Sequence, residues 1–299
     1  MTTNGSGMTI VRTVAELRAA LHPYRATGSV GLVPTMGALH DGHLQLARRA
    51  KAENDVVVMS IFVNPTQFND PADLNAYPRD EQADAELAAG AGVDLLFVPS
   101  AAEVYPPGFS ATVQLHGPIV ETLEGARRGV GHFQGVTTVV SKLLGMAQPD
   151  RAYFGQKDAQ QARVVRALVA DLNIATEIVT VPTVREPDGL AMSSRNRRLN
   201  QRDRERAVAV SAGLLAAQAA VAAGERDAAA ILRAAADVLA GRGIEPEYLA
   251  LVDAESFTPV HTLGSAPAIL AVAADLGGTR LIDNVPIQAA DPAGPATPG

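Results

Sequence analysis

The sequence predicts an α/β protein: a Rossmann-like parallel sheet with helices on both faces, followed by a smaller α+β C-terminal domain. Three observations carry this. Short apolar runs alternate with helical patterns from Ser29 to Val181, as the strands and crossover helices of a parallel sheet do. The run Val56–Val63 is apolar on both faces, the pattern of a strand covered from two sides. After Val184 the alternation stops, and two long alanine-rich helices precede strand-like pieces.

Taken in order, Ser29–Val33 reads as a short buried strand and Leu44–Ala52 as the helix behind it. Val56–Val63 is the second strand, stopped by Pro65. Asp80–Ala89 is a helix whose first turn holds Asp80, Glu81 and Asp84, acids that complement the helix dipole. Asp94–Val98 is a third strand, Gly135–Met146 a helix, Arg151–Phe154 a short fourth strand, Gln160–Leu172 a helix and Glu177–Val181 a fifth strand. Arg185–Asn200 is a polar loop with Pro187, Asp188 and Gly189. Helices Arg202–Ala223 and Arg226–Ala240 follow, then strands at Tyr248–Val252, Ala268–Ala273 and Arg280–Ile287. The expected organisation is a flexible tail over 1–8, a first domain over 9–184, a second over 185–289 and a disordered tail over 290–299.

Composition narrows the chemistry. The chain has 299 residues, 47% hydrophobic and 19% charged, with a net charge of −7 and no cysteine. An acidic balance argues against a general nucleic-acid binder, which would show a basic face. Without cysteine there is neither a disulfide nor a thiol nucleophile. Met1–Gly7 has no basic region and no apolar core, so no secretory signal is expected and the chain is placed in the cytoplasm. Ala207–Gly224 has membrane-spanning length and is nearly uncharged, yet it is mostly alanine, which buries little area. It reads as a tightly packed helix, with no membrane partner.

The most informative stretch is V-P-T-M-G-A-L-H-D-G-H, Val33–His43, where a strand hands over to a helix. The first turn of a helix has unpaired N–H groups and the positive end of the dipole, an anion site. Gly42 lets backbone approach a ligand, and His40 and His43 add donors to phosphate oxygens, as imidazolium offsetting charge that develops there. Zinc would need further ligands at suitable spacing. Asn64 and Gln67 offer neutral donors and acceptors at the next strand end. Gly155 and Lys157 lie just before a helix, where a lysine can balance phosphate charge. Ser193, Ser194 and Arg195 put two hydroxyls and a planar guanidinium in a row. His40, His43, Lys157, Ser193, Ser194 and Arg195 are expected around one mouth. They include no Ser-His-Asp set, and they suit phosphoryl or nucleotidyl transfer run by positioning and charge stabilisation.

From Thr9 to Ile287 the chain resembles the pantoate–β-alanine ligase family. The matching stretches are Pro34–His43, Ser60–Phe68, Ala76–Arg79, His132–Val136, Phe154–Gln161, Pro182–Arg185, Asp188–Arg195 and Arg280–Asn284. The resemblance implies ligation of pantoate and β-alanine through a pantoyl adenylate, with ATP as substrate, Mg2+ as cofactor and a homodimer as the assembly. It makes 9–184 the ATP- and pantoate-binding domain and 185–289 a lid. It assigns His40, His43, Lys157, Ser193, Ser194 and Arg195 to catalysis. Met36, Gly42, Gly155, Asp158, Val184 and Met192 join them in binding ATP. Gln67, Gln161, Met36 and Val139 go to pantoate, His132 and Arg128 to β-alanine and its loop, and Asp84 to Mg2+ through water. Here the family's Arg-Pro-Gly-His becomes Arg127-Arg128-Gly129-Val130-Gly131-His132, leaving open whether Arg127 or Arg128 takes the arginine role. A second family acid is replaced by Ala83. The loop Met192–Asn196 is expected to move with nucleotide about Gly189. A nucleotidylyltransferase is the rival reading, opposed by the paired glutamines. An inactive nucleotide-binding module would be expected to lack one of His43, Lys157 or Arg195.

Overall fold

The computed structural model describes residues 2–3, 7–68 and 74–288, and the chain divides into two compact units between Val184 and Arg185. In the first unit seven strands form one sheet: β1 (Thr2–Thr3), β2 (Thr9–Val11), β3 (Val30–Thr35), β4 (Val56–Ile61), β5 (Leu95–Phe97), β6 (Arg151–Gly155) and β7 (Glu177–Val181), in the order β1-β2-β5-β4-β3-β6-β7. All pairs are parallel except β1 with β2. The chain winds to one side of β3 through β4 and β5 and to the other through β6 and β7. The β3/β6 boundary is therefore the switch point, where open α/β sheets bind ligands beyond their carboxyl ends.

Strand side chains alternate between two cores, which is why these runs are apolar throughout. Val56, Val58, Leu95 and Phe97 face helices Val14–Leu21, Val130–Ala147 and Ala159–Asp171. Val57, Met59 and Leu96 face helices Asp41–Glu53 and Glu81–Gly90. Helices thus cover both faces of the sheet.

The N-terminus departs from the expected tail. Thr2 and Thr3 pair antiparallel with Ile10 and Thr9, and Met8 is buried in the second of these cores. Helix Val14–Leu21 adds to the expected elements, its start closed by a capping box of Thr13 and Glu16. Helix Val130–Ala147 begins five residues before Gly135, the start expected from the apolar pattern. The expected C-terminal tail, 290–299, lies outside the described residues.

In the second unit, β8 (Pro246–Asp253), β9 (Ala268–Leu276) and β10 (Thr279–Ile287) form an antiparallel sheet in the order β10-β9-β8. Helices Gln201–Ala222 and Ala228–Ala240 complete its core through Val210, Leu214, Ile231 and Leu239. At Gly213 a Cβ would stand 3.0 Å from the carbonyl oxygen of Ala235, so the small residue is what lets the two helices approach. Gln201–Ala222 is long and apolar enough to cross a membrane by composition, and it spends its buried residues on this core.

Candidate active site

The loop after β3 carries the histidines. Gly37 and Ala38 both adopt left-handed backbone, at φ 82° and 52°, and turn the chain into helix Asp41–Glu53. His40 caps that helix, its Nδ1 accepting from the Gly42 N–H at 3.2 Å. With Nδ1 an acceptor, the neutral ring carries its proton on Nε2. The His43 ring lies 4.1 Å from that of His40, centroid to centroid. Burial, then the neighbouring His40 and Lys157, push the His43 imidazole down to about 3. His43 is therefore neutral at pH 7, which leaves it the donor role and not the charge of an imidazolium. Its Nδ1 is buried without a protein partner. The pair thus stands at a helix N-terminus, with the His40 Nε2–H as a donor.

Lys157 enters from the loop after β6, on the strand beside β3. Its Nζ is 3.5 Å from Asp158 Oδ1, and it is near enough to His43 to act on that ring's titration. At Gly155, which ends β6, a Cβ would meet nothing within 4 Å, so space opens above the strand end. The structure thus brings His40, Gly42, His43, Gly155, Lys157 and Asp158 to the carboxyl ends of the two central strands. Val184 closes the first unit.

Asn64, after β4, is a buried hub. Its Nδ2 donates to Gln67 Oε1 and to the Gly135 carbonyl, both at 3.1 Å, and its Oδ1 accepts from the Tyr105 hydroxyl at 2.7 Å and the Thr66 hydroxyl at 3.0 Å. A Cβ at Gly135 would run into the Thr66 carbonyl, so glycine lets the long helix close on this loop. Gln67 Nε2 donates to Met36 Sδ at 3.1 Å, tying the two loops together. Gln160 and Gln161 diverge. Gln160 is buried, accepting from the Glu124 N–H and donating to the carbonyls of Ile119 and Thr122. The Gln161 side chain makes no hydrogen bond among the described residues. Val139 is buried in the core of its face.

His132 Nδ1 lies 3.0 Å from the Gln67 carbonyl, so it carries the ring proton there and leaves Nε2 an acceptor. Burial lowers its pKa, opposed by that carbonyl. Arg128 is half-buried, pairs with Glu124 at 2.8 Å and acts on His132, whereas Arg127 is exposed. Of the two arginines, Arg128 is the one turned inward. Tyr105 and Gly135 carry no signal along the chain, because their roles lie in contacts distant in sequence.

Asp84 is buried at 4% exposure, and both its oxygens are taken by backbone, from the Ala38 N–H at 2.9 Å and the Leu39 N–H at 2.7 Å. The carboxylate is thus turned to backbone and not presented openly to a hydrated ion. Among the described residues no three His, Asp or Glu side chains are placed to hold a metal.

Met192, Ser193, Ser194 and Arg195 belong to the second unit, in a segment more firmly held than a polar linker. Arg185 and Ala191 bridge across a hairpin whose turn is Gly189 at φ 94°. Arg185 pairs in bidentate fashion with buried Asp283, Arg204 pairs with Glu186 and Asp188, and Asn196 donates to Glu186 at 2.7 Å. Gly189 thus sits in an anchored turn, which argues against the expected hinge. Beyond it Ser193 Oγ caps the short helix Ser194–Arg198. The Arg195 guanidinium has no partner among the described residues. In hydrogen exchange the amides of Glu186 and Gly189 will be protected without nucleotide, and a non-hydrolysable ATP analogue will add protection only across Ser193–Arg195. Protection that first appears at Glu186 and Gly189 with the analogue would restore the hinge.

Known proteins match this arrangement over nearly its whole length. The profile of the Pantoate-beta-alanine ligase family matches residues 9–286. A pantothenate synthetase of Moorella thermoacetica is 50% identical over 286 residues, covering 95% of this chain and 100% of the relative. The crystal structure of pantothenate synthetase from Thermus thermophilus is 48% identical, covers 93% of this chain and 99% of its own, and superposes with a TM-score of 0.87. A pantoate-beta-alanine ligase from Francisella tularensis, solved with β,γ-ATP and β-alanine, is 37% identical with a TM-score of 0.77, covering 93% and 97%. Strand order, paired histidines and these matches agree: the chain belongs to the pantoate–β-alanine ligase family.

Proposed function

We propose that this chain joins pantoate to β-alanine with ATP in two steps, and that His40, His43 and Lys157 serve the first. The observation that carries this is the pair of ring donors and the lysine at the carboxyl ends of β3 and β6. In that step the pantoate carboxylate attacks the α-phosphorus of ATP and pyrophosphate leaves. In the second, the β-alanine amine attacks the acyl carbon, loses a proton and expels AMP. A carboxylate is a poor acylating agent, and adenylation supplies its leaving group. His40 and His43 donate ring N–H groups to phosphate oxygens, and Lys157 offsets charge as it develops.

Gln161 and Gln67 read the pantoate hydroxyls, with Met36 and Val139 beside them. Arg128 takes the β-alanine carboxylate, and His132 offers Nε2 to its amine. Gly155 and Asp158 hold the ribose and adenine side with Val184. The family resemblance supports Met192, Ser193, Ser194 and Arg195 as further ATP-binding residues. Mg2+ belongs to this reading as the partner of the ATP phosphates, whose charge it offsets when bound. The family resemblance supports a homodimer acting in the cytoplasm, which sedimentation and fractionation test.

Pantoate and Mg-ATP alone will support exchange of labelled pyrophosphate into ATP. The site holds phosphate partners and an activated carboxylate is the intermediate, so β-alanine is not needed for this half. An exchange that requires β-alanine would overturn the two-step reading.

A further inference from the structure

We propose that Asp84 is a positioning residue for His40 and His43, acting through the backbone of the loop that carries them, and is not a partner of magnesium. The inference rests on the reading above for the roles of the two histidines, and on geometry for the rest.

The loop from Met36 to His40 must hold an unfavourable shape. Gly37 and Ala38 are successive left-handed residues, and for alanine that region is crowded by its own Cβ. Such backbone persists where the surroundings over-determine it. Three successive N–H groups here are each met by a side-chain oxygen. Gly37 donates to Thr35 Oγ1 at 3.2 Å, Ala38 to Asp84 Oδ2 at 2.9 Å and Leu39 to Asp84 Oδ1 at 2.7 Å. Hydrogen bonds to an ionised carboxylate are the stronger kind. Asp84 stands on helix Glu81–Gly90, an independent element packed on the same face of the sheet as helix Asp41–Glu53.

The carboxylate sits in a cradle that only glycine leaves open. A Cβ at Gly37 would stand 2.8 Å from Asp84 Oδ2 and 3.0 Å from Ile61 Cγ2. Leu39, the second bonded residue, is 2% exposed and directly precedes His40. His40 caps helix Asp41–Glu53, and His43 lies in that helix's first turn. The brace therefore ends one residue from the first imidazole and four from the second. Misplacing such groups by about 1 Å costs about a hundredfold in rate.

The test compares Asp84→Asn with Gly37→Ala, which crowds the carboxylate from the other side and leaves it chemically intact. In both, kcat for pyrophosphate exchange should fall by about tenfold to a hundredfold at saturating Mg2+. The KM for pantoate and the Mg2+ concentration for half activation should stay within about twofold of the parent, because neither ligand meets Asp84 directly in this reading. The ring resonances of His40 and His43 should shift in both variants while the melting transition remains cooperative. A half-activating Mg2+ concentration raised in Asp84→Asn alone, with kcat restored by excess Mg2+, would make Asp84 a metal partner. Normal kcat and unshifted rings would leave it a packing residue. Should either variant fail to fold, the parent protein decides: without Mg2+ or nucleotide, the Ala38 and Leu39 amides must resist exchange, and rapid exchange there overturns the brace. That measurement stands even if the parent shows no ligase activity, so the two readings fail separately.

Discussion

His43→Ala and Lys157→Ala will each slow pyrophosphate exchange by about 10²–10³, with the fold retained. Removing one preorganised donor to a transition state typically costs about 2.7–4 kcal/mol. His43 is suited to such a role because it gives the fold so little. Its Nδ1 has no protein partner, and burial beside His40 and Lys157 keeps the ring neutral. A neutral imidazole donating a ring N–H forms its bond to a phosphate oxygen without first losing hydration around a charge. His40→Ala is expected to lose activity and some stability as well, because His40 also accepts from the Gly42 N–H as the helix cap. Loss of a cap costs about 0.5–2 kcal/mol. Exchange rates and melting temperatures measured on the three variants separate these contributions. Near-normal exchange in His43→Ala or Lys157→Ala would remove that residue from the transition state.

The glutamines should separate into one that reads substrate, one that reads it while holding a loop, and one that only holds the fold. Gln161→Ala will weaken use of pantoate by about 5- to 150-fold in kcat/KM, the equivalent of roughly 1–3 kcal/mol for polar groups left unpaired. Binding of ATP alone and the melting temperature should hardly change, since the Gln161 amide meets no partner among the described residues. Gln67→Ala will also weaken pantoate use, with a smaller loss of ATP binding, because Gln67 donates to Met36 in the histidine loop and accepts from Asn64. Gln160→Ala will lower stability and act on pantoate only secondarily, since all three of its bonds pin the segment from Ile119 to Glu124. Calorimetry with each ligand separates the three. If Gln161→Ala damages ATP and pantoate binding alike, neutral amides are not the basis of selection. In the proposed reading, neutral groups suit pantoate because they would fix its hydroxyls and leave the attacking carboxylate out of an ion pair.

Much of this was readable along the chain because its cause is local. Val56–Val63 is apolar throughout because β4 is covered on two faces, and that pattern is a property of the strand alone. His40 and His43 fall at a helix start because Gly37 breaks the strand and Asp41 opens the helix. The alanine-rich helices of the second unit are recognisable from composition, and Gly213 from nothing but its contact with Ala235. β1, β2 and helix Val14–Leu21 are not legible in the same way, because their runs are short and their stability comes from pairing with β5 and from the core.

What tertiary structure alone decided concerns partners far apart in sequence. Asp84 and Gln160 look like site residues beside Gln161 and the acidic first turn, yet the fold commits them to backbone groups of Ala38, Leu39, Ile119, Thr122 and Glu124. Arg128 rather than Arg127 turns inward because Glu124, itself buried, waits one helical turn away. The hairpin at Gly189 is anchored by Asp283 and Arg204, which stand at distant points of the second unit. Local sequence sets which chemistry a residue can offer. Whether that chemistry faces a ligand or is consumed within the protein depends on burial and on the partner that folding supplies, because a polar group removed from water must be satisfied by whatever lies beside it.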